Sequence, residues 1–433
     1  MRKKVLAMLM AATMVSGCLV GCGGADKEAA TSNSASSEAS SETASEDAVA
    51  NLIKATEGTV ELSVWASEED QEFTTGLLDA FKAQYGDVDF NITLGAMSEA
   101  DAKDSILTDV EAAPDVFAFA DDQINELVKA NALQEVVTTY TYDVKNANLA
   151  GSVEAATLNG KVYAYPMTAD NGYFMYYDSS VFTEDDVQSL DSMIEAAKKA
   201  DKQIAMIVSD AWYNYSFFKG AGYDVTLNED GLTNTCTWNA EGATDVAQAI
   251  IDLGATGVFV NAKEDAEIVT GIKKGKYAAA ISGVWNADAI QKAWKDNYAA
   301  TKLPTFTVAG EQVQMSSFSG YKMIGVNPLS KNVGWSMLLA EFLTNKENQV
   351  ARFEARGLGP ANIEASESEE VQASPAIAAL AEQAAYATPQ RVGGNYWEPA
   401  NTLGQTLISG NSKGTDLQEL LDNAVEGITA PVE

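Results

Sequence analysis

The side chains best suited to chemistry are aromatic rings and carboxylates that follow strand-like segments. Phe119 is followed by Asp122, Asp210 precedes Trp212, and Trp285 comes directly after another apolar segment. Flat rings bury apolar area, and carboxylates accept hydrogen bonds from hydroxyl groups, each bond contributing roughly 1.5–3 kcal/mol. This combination suits a ligand with apolar faces and a hydroxyl-bearing rim.

Composition excludes several other kinds of chemistry. The 433 residues contain no histidine, which excludes Ser-His-Asp and Cys-His catalysis and every His-ligated zinc site. The 28 Lys and Arg residues against 62 Asp and Glu residues give a net charge of −34. Such a chain lacks the basic patch that nucleic acid or anionic lipid requires. We therefore expect no metal, no cofactor and no nucleic-acid partner.

The N-terminus has the features of a bacterial export signal. Residues 1–22 begin with a basic Arg-Lys-Lys segment and continue with an apolar run over residues 5–20. That run is shorter than the roughly 20 residues of a membrane-spanning helix. It ends in Leu-Val-Gly-Cys22, which resembles the lipobox of bacterial lipoproteins, so we expect Cys22 to be lipidated. Cys18 fits the motif more loosely, and a cleaved signal with an incidental cysteine is the alternative.

Residues 23–57 have the composition of a disordered tether. They are rich in Ser, Ala, Glu and Thr and contain no aromatic residue. A flexible chain of roughly 35 residues has an average reach of about 30 Å. With Cys22, the segment predicts a globular body held at the outer face of the cytoplasmic membrane by its lipid anchor only.

Strand and helix patterns alternate after the tether. Residues 60–64 alternate apolar and polar positions, and residues 73–85 carry an aromatic or leucine side chain at every fourth position. Residues 204–281 repeat the alternation. The pattern predicts an α/β fold of largely parallel sheets flanked by helices. Two such regions predict two lobes, with ligand-binding loops at the strand ends and a cleft between the lobes.

Several segments also resemble one protein family. In chain order they are Val64-Trp65, residues 113–116, 159–166, 283–285, 303–306 and 357–360, Pro389-Gln390 and Tyr396-Trp397. Over residues 59–428 the chain is similar to bacterial extracellular solute-binding proteins of carbohydrate ABC importers, most of all to maltose- and maltodextrin-binding proteins. The Asn-Gly-Lys segment followed by Tyr-Pro within residues 159–166 is the most specific of these features.

The resemblance implies a two-lobed periplasmic-binding-protein-like fold of type II, with a mixed, mostly parallel sheet in each lobe. The expected lobes are residues 58–167 plus 316–370 and residues 168–315 plus 371–433. Three hinge crossovers are expected near residues 167–169, 314–318 and 366–375. A monomer of this kind would capture malto-oligosaccharides by hinge closure and deliver them to the permease subunits of an ABC transporter.

The resemblance also assigns candidate ligand-binding residues. They are Glu69, Phe119, Asp122, Asp170, Asp210, Trp212, Trp285, Tyr396 and Trp397. Three departures from the family pattern bear on the length of the sugar and on affinity: Phe119 replaces a tryptophan, Gln123 replaces an arginine, and Asp210-Ala211-Trp212 replaces Glu-Pro-Tyr. The remaining tryptophans, Trp238, Trp294 and Trp335, are expected to pack in the core, and Cys236 is expected to be an inert thiol.

Two other classes of function share some of these features. A secreted glycoside hydrolase also has aromatic rings and carboxylates in a cleft, although no acidic pair stands out here as an acid and a nucleophile. A surface adhesin or sensor subunit could use the same anchor and tether. A receptor for another oligosaccharide is the remaining alternative within the family.

Overall fold

The computed structural model describes residues 47–431. Cys18, Cys22 and the predicted signal over residues 1–22 lie outside these residues, as does most of the predicted tether. The strands are β1 Val60–Ala66, β2 Phe90–Ala96, β3 Val116–Ala120, β4 Thr157–Leu158, β5 Lys161–Val162, β6 Tyr165–Thr168, β7 Phe174–Asp178, β8 Gln203–Met206, β9 Val225–Leu227, β10 Asn234–Cys236, β11 Phe259–Asn261, β12 Tyr277–Ser282, β13 Tyr298–Thr301, β14 Thr305–Val308, β15 Glu311–Gln314, β16 Ser317–Ser319, β17 Lys322–Val326 and β18 Ala387–Pro389.

The helices cover the faces and ends of the sheets. They are α1 47–55, α2 Gln71–Gln84, α3 Ala102–Thr108, α4 Ile124–Lys129, α5 Val144–Ala147, α6 Ala150–Ala155, α7 Leu190–Ala200, α8 Ala211–Gly220, α9 Ala243–Ala255, α10 Asp265–Lys273, α11 Ala287–Trp294, α12 Val333–Thr344, α13 Lys346–Arg356, α14 Ile363–Ser366, α15 Glu369–Gln372, α16 Pro375–Gln383, α17 Trp397–Ile408 and α18 Leu417–Ile428. Within residues 47–431, no helix has the length and apolar character needed to cross a bilayer.

Two five-stranded sheets organise the described part of the chain. The N-lobe sheet has the order β2-β1-β3-β17-β6, and the C-lobe sheet has the order β11-β8-β12-β7-β13. In both, the central strands are buried along their length: β3 and β12 have no exposed position. Continuous apolar runs of this kind belong to strands covered on both faces. The two-lobed α/β architecture predicted from the sequence is confirmed.

Each sheet is mixed and mostly parallel, as expected, because one of its five strands runs opposite to the other four. In the N-lobe, β1 runs parallel to β2 and β3, whereas β17 is antiparallel to β3 and β6. In the C-lobe, β8 runs parallel to β11 and β12, whereas β7 is antiparallel to β12 and β13. In each sheet the reversed strand is the one that arrives from the other lobe. A strand that enters this way is not constrained by the helical crossover that keeps neighbouring strands parallel.

Within residues 47–431, the chain passes between the lobes in three places. It leaves β6 and enters β7 across residues 169–173, and it leaves β15 and enters β17 by way of β16. The third connection runs through α14, α15 and α16, of which α16 packs on β13 and β7 of the C-lobe. β16 pairs in parallel with β18, which ties the second connection to the segment that follows α16.

The last part of the predicted tether is helical. Residues 47–55 form α1, whose Val49, Leu52 and Ile53 pack against the N-lobe core. The indole Nε1 of Trp335 also donates a hydrogen bond to Thr56 Oγ1 over 2.8 Å. Apolar side chains at spacings of three and four residues give α1 one half-buried face. The body of the protein therefore begins about ten residues earlier than the composition predicted.

The tryptophans predicted to be structural are core residues. Trp238, Trp294 and Trp335 are 0%, 8% and 2% exposed, so this prediction is confirmed. Trp238 stacks on Phe218 with ring centroids 4.3 Å apart. Cys236 is half-buried, and burial raises the pKa of its thiol to about 12, which agrees with an unreactive group.

Candidate ligand-binding site

Two tryptophans of the C-lobe come together at the ends of neighbouring strands. Trp212 lies in the first turn of α8, after β8, and Trp285 lies in the turn after β12. Both indoles are half-buried, and their ring centroids are 5.6 Å apart with the planes tilted by 44°. Asp210 begins α8, because its Oδ1 accepts the backbone N–H of Trp212 at 2.8 Å. Burial raises the pKa of this carboxyl.

Hydrogen bonds to Asp265 stabilise the turn that carries Trp285. Asp265 Oδ1 accepts hydrogen bonds from Asn286 Nδ2 at 2.7 Å and from Ser282 Oγ at 3.0 Å. The indole folds back over Gly283, where a Cβ would lie 2.0 Å from a ring carbon. Glycine at this position is therefore required for the ring to lie flat. The Nε1 of Trp285 is buried and has no hydrogen-bond partner among the described residues.

Trp212 is fixed at its polar edge and on its ring. Its Nε1 donates to Gln390 Oε1 over 2.7 Å. Its ring meets the ring of Tyr173 with centroids 4.7 Å apart. A tryptophan held this way loses little conformational freedom when a ligand packs on it, so less binding free energy is lost to ordering.

Trp397 and Tyr396 are adjacent in sequence but differ in the exposure of their side chains. Trp397 is half-buried at the start of α17, 6.5 Å from the ring centroid of Phe318. Tyr396 is 0% exposed, and its hydroxyl donates to the carbonyl of Ala211 at 2.7 Å. The prediction that Tyr396 contacts ligand is wrong in this conformation, because the side chain is a buried support between α17 and α8.

Phe119 requires a similar correction. It lies on β3 and is 0% exposed, with its ring 5.8 Å from the ring of Phe117 inside the N-lobe core. A platform for a sugar needs an exposed face, and every position of β3 is buried. The sequence placed Phe119 at a strand end, but the buried strand continues to Ala120.

Asp121 and Asp122 follow β3 and face the C-lobe. Asp121 is 1% exposed and accepts a hydrogen bond from Arg391 Nη1 at 2.6 Å. Asp122 is half-buried, and its Oδ1 has no partner among the described residues. Burial, followed by the charge of Asp121, raises the pKa of Asp122 to about 7. This carboxyl is therefore available as an acceptor when ionised and as a donor when protonated.

Asp170 lies on the first connection between the lobes. It is 2% exposed, and the backbone N–H of Gly359 donates to its Oδ2. Burial raises the pKa of its carboxyl to about 6. Glu69 is the opposite case, since it is exposed in the turn after β1 and makes no side-chain hydrogen bond or ion pair among the described contacts. The structure therefore does not bring Glu69 together with the other candidates.

Four residues at the lobe interface were missed by the sequence analysis. Gln390 and Arg391 connect the segment after β18 to Trp212 and to Asp121. Lys322 Nζ lies 5.7 Å from the ring centroid of Trp285 and 3.5 Å from Glu99 Oε2. A signal was present for Lys322, because it is a single charged residue at the start of the apolar segment Met-Ile-Gly-Val.

The arrangement can bind a ligand between unlike surfaces. The C-lobe supplies indole faces, and the N-lobe supplies carboxylates and ammonium groups that can exchange hydrogen bonds with hydroxyls. Within residues 47–431 no cluster of His, Cys, Asp and Glu could hold a metal ion.

Comparison with known proteins identifies the family. The model for bacterial extracellular solute-binding proteins matches residues 76–379. The chain belongs to this family. The resemblance drawn from the sequence is confirmed at this level. The solute-binding protein is 28% identical over 390 residues to the galactooligosaccharide-binding protein of Bacillus subtilis strain 168, covering 86% of this chain and 90% of that one.

Other relatives carry related names. The maltooligosaccharide ABC transporter solute-binding lipoprotein of Streptococcus pneumoniae serotype 4 is 25% identical over 386 residues, covering 84% of this chain and 81% of that one. Among solved structures, one with acarbose is 30% identical, with a TM-score of 0.76 and coverage of 86% of this chain and 99% of that one. The maltodextrin-binding protein MalE1 from L. casei BL23, without ligand, is 25% identical, with a TM-score of 0.71 and coverage of 87% and 100%.

Proposed function

We propose that this solute-binding protein captures neutral oligosaccharides, with malto-oligosaccharides as the leading ligands, for an ABC importer. The observation that carries the proposal is the pair of half-buried indoles, Trp212 and Trp285, which lie 5.6 Å apart on the C-lobe side of the lobe interface. On the N-lobe side, one carboxylate oxygen of Asp122 is buried and has no hydrogen-bond partner within residues 47–431, so it can accept a hydrogen bond from the hydroxyl of a sugar that enters the interface. The names of relatives that bind maltooligosaccharides and maltodextrin support the same ligand class.

The proposed mechanism is closure about the three connections. A sugar that stacks on Trp285 and also hydrogen-bonds to the N-lobe would stabilise the closed form by its differential affinity for that form. The contact between Arg391 and Asp121 already joins the two sides in the structure. The closed, loaded monomer is the form that we propose the permease subunits recognise.

Calorimetric titration of the full chain in detergent tests the ligand class. We expect maltotriose to bind with a Kd in the micromolar range or below, about −8 kcal/mol, and xylo-oligosaccharides to bind much more weakly. If none of glucose, maltose, maltotriose and longer dextrins binds, the malto-oligosaccharide proposal is wrong.

Galacto-oligosaccharides are the second candidate. The observation that favours them is the 28% identity to the galactooligosaccharide-binding protein of Bacillus subtilis over 86% of this chain. Titration with galactotriose beside maltotriose, at matched concentration, separates the two. Tighter binding of galactotriose would make it the preferred ligand while leaving the sugar-receptor proposal intact.

We further propose that the protein binds sugar without cleaving it. Incubation with maltotriose, followed by chromatography of the products, should return the sugar unchanged. Release of glucose or maltose by the wild-type chain, but not by the Asp122→Asn variant, would instead support a hydrolase.

The proposed anchor is a lipid on Cys22. In the Cys22→Ala variant we expect the protein to leave the membrane fraction while sugar affinity is unchanged, because each buried acyl CH₂ contributes about 0.8 kcal/mol to membrane binding. The Cys18→Ala variant is the matched control and should stay with the membranes. The reverse pattern would assign the lipid to Cys18.

A further inference from the structure

Lys322 projects from the N-lobe sheet towards the C-lobe. Its backbone pairs with Ala120 of β3 and Thr168 of β6, at the end of β17 where both partner strands end. The side chain is 16% exposed. Its ammonium lies over Trp285, 5.7 Å from the ring centroid, which is within the range of a cation–π contact.

The ammonium is incompletely paired. Among residues 47–431, the nearest carboxylate oxygen is Glu99 Oε2, 3.5 Å away, which is long for a charged hydrogen bond. An ammonium has three N–H donors, so donors remain for a further acceptor. Burial lowers the pKa of Lys322, but the nearby carboxylates of Glu99 and Asp170 raise it by more than burial lowers it. The pKa is therefore raised overall, and the group stays charged.

Glu99, like Lys322, is largely buried. Its side chain is 10% exposed. The loop that carries it is fastened by Gln123, whose Nε2 donates to the carbonyl of Glu99 at 2.8 Å. Glu99 and Lys322 therefore place an acceptor and a donor side by side in a largely buried position.

We propose that Lys322 and Glu99 together recognise two adjacent hydroxyl groups of the sugar ring that stacks on Trp285. One hydroxyl accepts a hydrogen bond from the ammonium of Lys322, and its neighbour donates to the carboxylate of Glu99. The ligand class is a neutral pyranose with free vicinal hydroxyls. This inference rests on the proposed function, because it specifies how the same site reads the sugar.

The position of Lys322 explains why it acts on that ring. A ring stacked on the face of Trp285 that Lys322 covers must either displace the ammonium or hydrogen-bond to it. Displacement would leave a charge in a partly buried site without its ring contact, which is unfavourable. A hydrogen bond to a hydroxyl keeps the ammonium paired and adds a charge-assisted contact.

The test is calorimetric titration of the full chain in detergent with maltotriose and with its monodeoxy analogues. We expect Lys322→Met to weaken maltotriose binding by about 10-fold or more, and Lys322→Arg to retain part of the affinity. For the one analogue that lacks the contacted hydroxyl, wild type and Lys322→Met should bind equally. This non-additivity is the signature of a direct contact.

Two controls separate a contact from a structural role. Lys219→Met removes a partly buried lysine that pairs with Asp224 near the far end of α8, and it should leave the Kd for maltotriose unchanged. Melting of each variant reports folding. If Lys322→Met weakens maltotriose and every deoxy analogue by the same factor, or weakens none, the proposed contact is overturned. If wild type binds galactotriose and not maltotriose, the same comparison is made with deoxy-galactotrioses.

Failure of the wider proposal gives a different result. If the wild-type chain binds neither maltotriose nor galactotriose, both the function and the contact are wrong. If wild type binds and Trp285→Ala loses binding while Lys322→Met does not, the function stands and the contact alone is wrong.

Discussion

The two sides of the lobe interface are built from different interactions. The C-lobe presents indoles that are held by ring packing and by single hydrogen bonds, such as that from Trp212 to Gln390. The N-lobe presents charged groups, such as Lys322 beside Glu99 and the carboxyl of Asp122. One side therefore supplies apolar area and the other supplies hydrogen-bonding groups, and a ligand must contact both to stabilise closure.

The largest expected loss of stability follows from breaking a buried network of ion pairs inside the N-lobe. Asp70 is 3% exposed and accepts hydrogen bonds from Arg352 Nη1 at 2.5 Å and Arg356 Nε at 2.8 Å. Asp70→Asn leaves the buried guanidinium of Arg352 without its partner, so we expect the free energy of unfolding to fall by about 3–5 kcal/mol. Urea unfolding measures this.

An exposed pair is the control for that measurement. Asp79 pairs with Lys82 over 2.8 Å, and both side chains are well exposed. Asp79→Asn should change the free energy of unfolding by less than about 1 kcal/mol. Equal effects of Asp70→Asn and Asp79→Asn would contradict a buried network on the N-lobe side.

The next prediction compares Trp285, which we propose stacks on the sugar, with Trp238, which is a core residue. Trp285→Ala should weaken maltotriose binding by about 10- to 100-fold, because a stacked ring loses much of its buried area. Its free energy of unfolding should fall less than that of Trp238→Ala, which removes a ring with 0% exposure and should cost about 3–5 kcal/mol. Titration and urea unfolding of both variants check this. A loss of stability in Trp285→Ala as large as that in Trp238→Ala would make Trp285 a core residue.

A smaller effect concerns pH. Burial raises the pKa of Asp122 from 3.8 to about 7 in the folded protein. The folded state therefore binds more protons than the unfolded state between these values, so the free energy of unfolding falls as pH rises through this window. Asp122→Asn removes this contribution and should be more stable than wild type by roughly 1–2 kcal/mol at about pH 8, with no gain at about pH 4.

The measurement is urea unfolding of both proteins across that range. The difference between them isolates Asp122 from Asp121 and Asp170, whose pKa values are also raised by burial. A constant difference at all pH values would mean that Asp122 does not titrate in this window. Sugar binding by wild type should weaken as pH falls below about 7, since a protonated carboxyl is a poorer acceptor.

The smallest effect is expected at Glu69. The residue is exposed and makes no side-chain contact among the described hydrogen bonds and ion pairs. Glu69→Gln should change the free energy of unfolding by less than about 0.5 kcal/mol, and maltotriose affinity by less than about threefold. A larger loss of affinity in titration would show that Glu69 reaches ligand in a conformation different from this one.

The sequence predicted the elements well and their side-chain directions less well. Trp212 and Trp285 follow buried strands, and local pattern alone located both at strand ends. Phe119 and Tyr396 also lie near element ends, yet both are 0% exposed. Whether a ring at a strand end faces the cleft or the core depends on the last strand residue and on the neighbouring helices, which a single sequence does not show.

The contacts between lobes were not predictable in the same way. Arg391 and Asp121 are 270 positions apart, and their pairing depends on how the two lobes meet. Lys322 reaches Trp285 for the same reason. Helix α1 could have been found, because Val49, Leu52 and Ile53 have helical spacing, but they lie in a segment dominated by the Ser- and Glu-rich composition before them.

The position of β17 affects the order in which the two lobes can fold while the chain is synthesised from its N-terminus onwards. β17 lies between β3 and β6, so the N-lobe sheet cannot close until residues 322–326 are present. All five strands of the C-lobe sheet lie within residues 174–301. The C-lobe begins second in the sequence but can therefore complete its sheet first. Until then, β1, β3 and α1 lack partners that come later in the chain, such as Trp335, which lies 279 positions after its hydrogen-bond partner Thr56. During that interval the apolar face of α1 and the apolar side chains of β1 and β3, which are buried in the folded protein, are not yet covered and can promote aggregation.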